Sequence, residues 1–193
     1  MKTQVGLPGF IDFLNTQSAK DFKSDRIDRY LNDNCLNNDD FLPFIYFREE
    51  TYGRNLVYRT ELFELLVLTW LPQQRTPIHD HAGQRCWVTV SMGELAFKNY
   101  EPMGLDGSRF DLKPMGCVEI GKCGTNSYID DEIAVHSIAN ASRSPAVSIH
   151  LYAAPVASCQ IYSEKNKRFE NVDLKYFTVF EGDLTRPSKG LSL

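Results

Sequence analysis

The sequence lacks several features that define common classes of protein. No stretch of its 193 residues approaches the ~20 consecutive apolar residues of a membrane-spanning helix, and the N-terminus has no continuous apolar core of a signal peptide. Lysine and arginine form no cluster and the formal net charge is −4, which argues against nucleic acid and anionic membrane surfaces as partners. We therefore expect a cytoplasmic protein that binds neither nucleic acid nor membranes.

No cysteine pattern indicates a crosslinked or zinc-binding fold. The five cysteines are odd in number and none forms a Cys-x-x-Cys motif, so the sequence predicts neither a disulfide framework nor a cysteine-ligated zinc site. Free cysteine is among the most buried residue types, so we expect Cys35, Cys117 and Cys123 to be buried thiols. Cys86 differs from these three because it follows a histidine pair by five residues.

The length and the texture of the chain indicate one domain that consists mostly of β-strands. We expect residues 1–193 to form a single domain, with a helical segment over 8–48 and a β-barrel over 55–180. Short β-prone runs with Gly and Asn turns between them are typical of an antiparallel sandwich or small barrel. The fold class that follows is all-β-dominated, with short N-terminal helices.

Individual elements can be placed within these two parts. In the helical segment, Ile27, Tyr30 and Leu31 recur at helical spacing after Ser24, a favourable N-cap residue. The Asp106-Gly107 pair predicts a turn within the barrel. We also expect a short helix over 41–47 and strands over 109–113, 116–120 and 175–180.

Histidine is scarce, and its four positions suggest a metal site. His79 and His81 are one residue apart, whereas His136 and His150 lie far downstream. Side chains alternate between the two faces of a β-strand, so a strand here would point His79 and His81 the same way and Asp80 the other way. Spacing alone does not choose between His136 and His150 as a third ligand.

A second alternating run lies around His150. Ser148, His150 and Tyr152 are each two residues apart and would share one face of a strand.

Three neutral imidazoles suit a divalent first-row metal, and iron(II) oxygenases commonly use two histidines and a carboxylate with open positions. Zinc remains an alternative on ligand type alone.

These residues resemble the cupin motifs. His79-Asp80-His81, Cys86 and Gly93 are spaced like the first cupin motif with cysteine in place of the usual glutamate, and His136 to Asn140 is similar to the end of the second motif. Three retained histidines with a cysteine in the glutamate position resemble the thiol dioxygenases, and the chain is identified as a member of the cysteine dioxygenase type I family. Further landmarks of this resemblance are Tyr52-Gly53-Arg54, Pro77-Ile78, Val135, Ala146-Val147-Ser148-Ile149-His150-Leu151-Tyr152 and Cys159.

The resemblance implies a fold, a metal and a ligand set. It implies a cupin β-barrel, which is a double-stranded β-helix or jelly roll, and Fe(II) held by His79, His81 and His136. Arg54 and Tyr52 would then hold the carboxylate of the substrate, because a bidentate guanidinium suits a buried carboxylate.

The resemblance also implies a role for the tyrosine and its neighbours. Tyr152 would lie beside the iron, and Cys86 would form a thioether crosslink to a ring carbon of Tyr152. The hydrogen-bonded partners of Tyr152 would be His150 and Ser148.

The implied activity is the oxidation of L-cysteine by O2 to cysteine sulfinic acid, by a protein that we expect to be a monomer. One alternative is a dioxygenase for 3-mercaptopropionate or another small thiol; relatives of that kind carry glutamine at the position of Arg54, which favours cysteine. Another alternative, from a different class, is a non-catalytic cupin that binds a metal or a small ligand. That alternative leaves Arg54, Tyr52 and Cys86 without a role.

Overall fold

The computed structural model describes residues 2–122, 124–129, 135–180 and 191–192, with only the backbone described for 127–129 and 191–192. In chain order the elements are β1 (Thr3–Val5), α1 (Leu7–Asn15), a 3₁₀ turn (Asp21–Lys23), α2 (Arg26–Asp33), β2 (Asn34–Leu36), a 3₁₀ segment (Asn38–Phe44), β3 (Gly53–Arg59), β4 (Glu64–Trp70), β5 (Cys86–Met92), β6 (Glu94–Gly104), β7 (Phe110–Lys122), β8 (Asn126–Ile129), β9 (His136–Ala139), β10 (Ala146–Tyr152), β11 (Ser158–Ser163), β12 (Arg168–Asp173), β13 (Thr178–Val179) and β14 (Leu191–Ser192). Among the described residues, no helix combines the length and apolar character that a membrane crossing requires.

Two main sheets form the strand-rich part of the molecule. The larger sheet has the order β14-β13-β3-β4-β10-β5-β8, and the smaller one has the order β7-β6-β9. A hairpin of β11 and β12 completes the strands next to the site. Isolated β-bridges from His79 to His136 and to Ile161 tie the chain after β4 to β9 and to β11. The loop that carries the histidine pair is thereby fixed between two strands.

The large sheet is buried on both faces, and its sequence alternates accordingly. On β4, Leu66 and Leu68 belong to a core shared with Leu95 of the small sheet. Leu65 and Val67 point the opposite way, into a core shared with the N-terminal helices. This alternation follows from the two-residue period of a strand. On β4 it assigns alternate residues to the core shared with the small sheet and to the core shared with the helices.

The N-terminal helices cover the outer face of this sheet. Phe10 and Leu14 of α1 are buried in the core under the sheet, and Phe13 stacks on Tyr30 of α2 with ring centroids 3.6 Å apart. Trp87 of β5 anchors α2 by donating its indole N–H to a carboxylate oxygen of Asp28 at 3.0 Å. These contacts join the helices to the outer face of the central strands.

The predicted strand-dominated fold with short N-terminal helices is confirmed, with local differences. The predicted strands over 109–113 and 116–120 form one long strand, β7, because the hairpin pairing with β6 continues through both. The short helix expected over 41–47 is a 3₁₀ segment that begins and ends three residues earlier, at Asn38–Phe44. The strand expected over 175–180 is only the two-residue β13.

The expectation that the unassigned cysteines are buried is wrong for two of them. Cys35 and Cys117 are exposed. Cys35 lies on the short strand β2, and Cys117 lies on β7, which among the described strands is at the edge of its sheet and pairs with β6. Cys123 lies outside the described residues.

Candidate metal centre and the adjoining pocket

His79 and His136 face each other across a backbone bridge. The N–H of His79 donates to the carbonyl oxygen of His136 at 2.9 Å, and the N–H of His136 donates back to the carbonyl oxygen of His79 at 3.0 Å. His81 follows in a loop that turns at Ala82 and Gly83, both with positive φ. The ligand nitrogens of the three histidines all lie within 4.8 Å of one another. The structure thus brings His136, and not His150, to the histidine pair.

The ring nitrogens of this cluster are poised for a ligand. Nδ1 of His81 and both ring nitrogens of His136 are buried without a hydrogen-bond partner in the described part of the chain. Buried polar atoms in native proteins are almost always partnered, so these orphan nitrogens indicate a missing partner such as a metal ion. Nδ1 of His79 lies 3.0 Å from the carbonyl oxygen of Pro77, to which an Nδ1–H would donate, leaving Nε2 free to coordinate.

Electrostatics keep the three imidazoles in the form that binds metals. Burial lowers the pKa of His79, and it lowers the pKa of His81 and His136 well below the usual value. Neighbouring histidines lower the pKa of His81 and His136 further, since two imidazolium ions repel each other. Metal ligation requires a neutral imidazole, so the residues present fit a divalent metal.

The local geometry differs from the predicted strand. Only His79 forms a β-bridge, and His81 belongs to the loop that follows. Asp80 borders the same cavity as both histidines, but the three-histidine cluster does not include it. The expectation that its side chain faces away from the metal stays a prediction. Its Oδ1 accepts the N–H groups of Gln160, at 2.8 Å, and Ala82, at 3.3 Å. Asp80 therefore ties the histidine loop to β11.

Three hydrogen-bonding side chains form a chain inside the barrel next to the histidines. Trp70 donates its indole N–H to Oγ of Ser148 at 2.9 Å, so the hydroxyl hydrogen of Ser148 is available to donate to Nε2 of His150 at 2.8 Å. That arrangement leaves the proton of a neutral His150 on Nδ1, which lies 3.8 Å from Sγ of Cys86. Burial lowers the pKa of His150 to about 3, so the ring is neutral.

Tyr152 lies between this chain and the histidine cluster. Its ring centroid is 5.4 Å from that of His81 and 6.1 Å from that of His150. No hydrogen bond joins Tyr152 to His150 or Ser148 among the described residues, so those two side chains orient Cys86 and each other more directly than they orient Tyr152. Burial raises the pKa of Tyr152 well above the usual value, and the neighbouring Cys86 raises it further.

Arg54 places a cation at the edge of the cluster. It lies on β3, is 8% exposed, and its Nη2 is 3.6 Å from Oε1 of the fully buried Glu64. Nε and Nη2 of Arg54 have no hydrogen-bond partner among the described residues. These two nitrogens lie along one edge of the guanidinium, the edge that can bind a carboxylate in a bidentate manner.

Five of the predicted site residues, Tyr52, Arg54, His79, His81 and Tyr152, border one small cavity, whereas His136, Cys86, Ser148 and His150 are not in its lining. Its volume is about 120 Å³, and it is bordered by Tyr52, Arg54, Pro77, His79, Asp80, His81, Tyr152, Val156, Cys159, Ile161, Val172 and Leu174. Tyr52 is held at the rim by stacking on Trp70, with ring centroids 4.9 Å apart. A more open cavity that also contacts Tyr52 and Arg54 adjoins it and leads outward. The pocket suits a small molecule with an anionic group.

Sequence reasoning missed two residues beside Arg54. Glu64 pairs with Arg54, and the hydroxyl of Tyr176 donates to Oε2 of Glu64. The signal for Glu64 is a lone charge at the start of the otherwise apolar run from Leu65 to Leu68, because a charge in a buried strand requires a partner. Tyr176 carries no comparable signal in the sequence.

The family model and the curated relatives that match this chain name one family. The family model described as "Cysteine dioxygenase type I" matches residues 15–165. "Cysteine dioxygenase type 1" of Danio rerio is 27% identical over 190 residues, which cover 93% of this chain and 92% of that protein. The human protein of the same name is 27% identical over 136 residues, covering 69% of this chain and 66% of that protein.

The solved structures that match this chain are less similar to it in sequence than the relatives above. An uncharacterized conserved protein with a double-stranded β-helix domain from Klebsiella pneumoniae is 18% identical with a TM-score of 0.48, and the match covers 72% of this chain and 96% of that one. An RmlC-like cupin protein from Desulfovibrio desulfuricans is 18% identical with a TM-score of 0.44, covering 58% of this chain and 91% of that one.

Proposed function

The chain belongs to the cysteine dioxygenase type I family of the cupin superfamily, and from this premise we propose that it is an Fe(II)-dependent dioxygenase that oxidises L-cysteine to cysteine sulfinic acid. One observation carries the proposal. Imidazole nitrogens and a guanidinium edge without hydrogen-bond partners among the described residues belong to residues that meet at one site. The histidines would hold a metal for the thiol, and Arg54 would supply a cation for the carboxylate, of one small molecule.

His79, His81 and His136 would hold the metal. Bound Fe(II) would supply open positions for the thiolate and for O2 and would mediate electron transfer between them. The three neutral histidines would leave the positive charge of the metal uncancelled, which would favour binding of the substrate as a thiolate. The choice of iron over zinc rests on the family, since three imidazoles suit either metal.

The protein side chains would orient the substrate and exclude water. The Nε and Nη2 groups of Arg54 would donate two hydrogen bonds to the substrate carboxylate, with Tyr52 at the same end of the pocket. Apolar walls, including Val156, Ile161 and Leu174, would keep the reacting sulfur away from bulk water. Fixing both ends of a small substrate lowers the entropic part of the barrier.

Tyr152 would hold a proton beside the reacting atoms. Because its pKa is raised by burial, its hydroxyl stays protonated at neutral pH and can donate a hydrogen bond into the pocket. On the side of Tyr152 away from the histidine cluster, a hydrogen-bonded chain of Trp70, Ser148 and His150 would hold Cys86 and Tyr152 in place. We also propose that Cys86 forms a thioether bond to the ring of Tyr152.

The overall reaction balances without a further reductant. One thiol and one O2 give one sulfinic acid, with both oxygen atoms transferred to sulfur, which is oxidised by four electrons as O2 is reduced. The substrate thiol is stable in a reducing compartment, which fits the cytoplasmic location expected from the sequence. The monomeric state stays a prediction.

The proposal is tested by substrate comparison. Iron-loaded protein is supplied at equal concentration with cysteine, 3-mercaptopropionate or cysteamine while O2 uptake and sulfinate formation are measured. We expect one O2 consumed per sulfinate formed and the fastest turnover with cysteine. Faster turnover of 3-mercaptopropionate would reassign the substrate, and binding of thiols without O2 uptake would indicate a non-catalytic cupin.

A further inference from the structure

We infer that Glu64 is a positioning residue that holds Arg54 in the orientation needed to receive the substrate carboxylate, an inference that rests on the proposed function. Glu64 begins β4 and its side chain is 0% exposed. Glu64 is not among the described residues that border the cavity, whereas Arg54 is. Any effect of Glu64 on the substrate therefore passes through Arg54 or the residues next to it.

The carboxylate of Glu64 is fixed by contacts on both oxygens. Oε1 lies 3.6 Å from Nη2 of Arg54 and accepts the backbone N–H of Val156 at 3.2 Å. Oε2 accepts the hydroxyl hydrogen of Tyr176. A buried carboxylate with these three partners has little freedom to move, so it provides a rigid anchor for a guanidinium.

The same carboxylate also organises the rings around Arg54. The guanidinium carbon lies 5.9 Å from the ring centroid of Tyr152 and 5.9 Å from that of Tyr176. Because Tyr176 is hydrogen-bonded to Glu64, one anion holds both the cation and one of the two rings beside it. The Nε and Nη2 groups remain without hydrogen-bond partners, which leaves a bidentate edge available.

Removal of the charge should release Arg54 from this orientation. A buried guanidinium without its counter-charge is strongly unfavourable, so the side chain gains by turning toward water. A route exists, because Arg54 also borders the more open outer cavity of about 300 Å³. In that position the guanidinium could no longer bind the carboxylate of a cysteine molecule whose thiol lies at the histidine cluster.

The test uses binding in the absence of O2, so that it does not depend on turnover. Affinities of iron-loaded protein for cysteine and for cysteamine, which lacks the carboxylate, are measured by calorimetry. We expect Glu64→Gln to lower the preference for cysteine over cysteamine by about tenfold or more, a change in the ratio that a uniform loss of folded protein would not produce. Glu64→Asp, which keeps the charge and retracts it by one methylene, should give an intermediate loss.

Two further variants serve as controls. Tyr176→Phe removes one hydrogen bond from Glu64 and should shift the preference in the same direction by a smaller factor. Asp28→Asn makes the same acid-to-amide change at a hydrogen-bonded carboxylate on the outer side of the large sheet, and should leave the preference unchanged.

The outcomes separate the inference from the proposed function. If the wild-type protein prefers cysteine and Glu64→Gln keeps or increases that preference, the positioning role is overturned and the proposed function stands. If the wild-type protein shows no preference for cysteine, the carboxylate role of Arg54 fails, and the inference fails with it. If the preference falls in Glu64→Gln but wild-type protein takes up no O2 with either thiol, the inference holds and the proposed activity is wrong.

Discussion

Cys86 and Tyr152 are directly opposed Cα partners on the neighbouring antiparallel strands β5 and β10. Directly opposed residues of such a pair project their side chains to the same face, with Cβ atoms about 4.5–5.5 Å apart. Both side chains are buried, and they belong to the barrel-interior core. A covalent bond between sulfur and ring therefore requires no change in the register of the strands.

The first prediction is that turnover joins these two residues. The bond would form between Sγ of Cys86 and a ring carbon of Tyr152 with the loss of one hydrogen from each residue, which is a two-electron oxidation whatever the ionisation state of the thiol. Burial raises the pKa of the Cys86 thiol far above its usual value, so the sulfur starts as the neutral thiol. O2 in the presence of iron and cysteine is the oxidant. Intact-protein mass spectrometry should show the loss of two hydrogens after turnover.

The matched control for the crosslink is Cys86→Ser, which keeps the size of the side chain and removes the sulfur. Its mass should not change under the same conditions. A wild-type mass that is also unchanged after many turnovers would rule out the thioether bond.

The second prediction concerns the metal. His136→Ala removes a buried imidazole whose two nitrogens have no other partner among the described residues, so iron content should fall by at least about tenfold with little loss of internal hydrogen bonding. His150→Gln is the control, because His150 is equally buried but lies outside the three-histidine cluster. Metal analysis after dialysis should show iron retained in His150→Gln; equal iron in both variants would contradict the assignment.

The sequence predicted the inner face of the barrel well, because strand alternation is local. Ser148, His150 and Tyr152 share the face that the two-residue period assigns to them, and Cys86 meets them in register. Once β10 and β5 pair, no further information is needed to bring these side chains together. Their proposed roles come from the resemblance to a family, whereas their position on one face of the strand follows from its two-residue period.

Long-range pairing could not be obtained from spacing. His136 lies beside His79 because these two residues form a β-bridge between a loop and the start of β9. No local sequence pattern predicts that pairing. Strand alternation likewise does not extend through the histidine pair, since His79 forms the β-bridge and His81 belongs to the loop that follows. The role of Glu64 is not evident from the sequence because its partners, Arg54, Val156 and Tyr176, come from other parts of the chain.

The third prediction tests the cation in the pocket. Arg54→Gln removes both donors of the free edge, and loss of a buried charge-assisted pair costs about 2–3 kcal/mol, so kcat/KM for cysteine should fall roughly 30- to 160-fold. The kcat/KM for cysteamine, which has no carboxylate, should change by less than about threefold if Arg54 contacts only that group. Steady-state O2 uptake with both substrates provides the measurement.

Arg54→Gln also leaves Glu64 buried without its cation, which is destabilising in itself. The double variant Arg54→Gln/Glu64→Gln removes both charges and should recover stability without recovering cysteine oxidation. Recovery of activity in the double variant would show that the defect of the single variant is one of folding.

The last prediction is a pH dependence of stability that arises from His150. Burial lowers its pKa from 6.5 to about 3 in the folded protein, whereas the unfolded chain titrates near the ordinary value. The unfolded state therefore binds one more proton than the folded state between these limits. The stability associated with neutral His150 is fully present above pH 6.5 and is lost progressively as the pH falls toward 3, by up to about 1.4 kcal/mol per pH unit.

Urea unfolding of the metal-free protein between pH 4.5 and 6.5 measures this slope. His150→Gln keeps a polar side chain against Ser148 but cannot titrate, so its slope should be shallower than that of the wild type by as much as one proton. Ser148→Ala is the control, since it breaks the hydrogen bond and lowers the free energy of unfolding at every pH while leaving the titratable ring in place. Equal slopes in wild type and His150→Gln would mean that His150 is protonated as readily in the folded protein as in the unfolded chain, which is incompatible with an imidazole that accepts a hydrogen bond at Nε2 within a closed core.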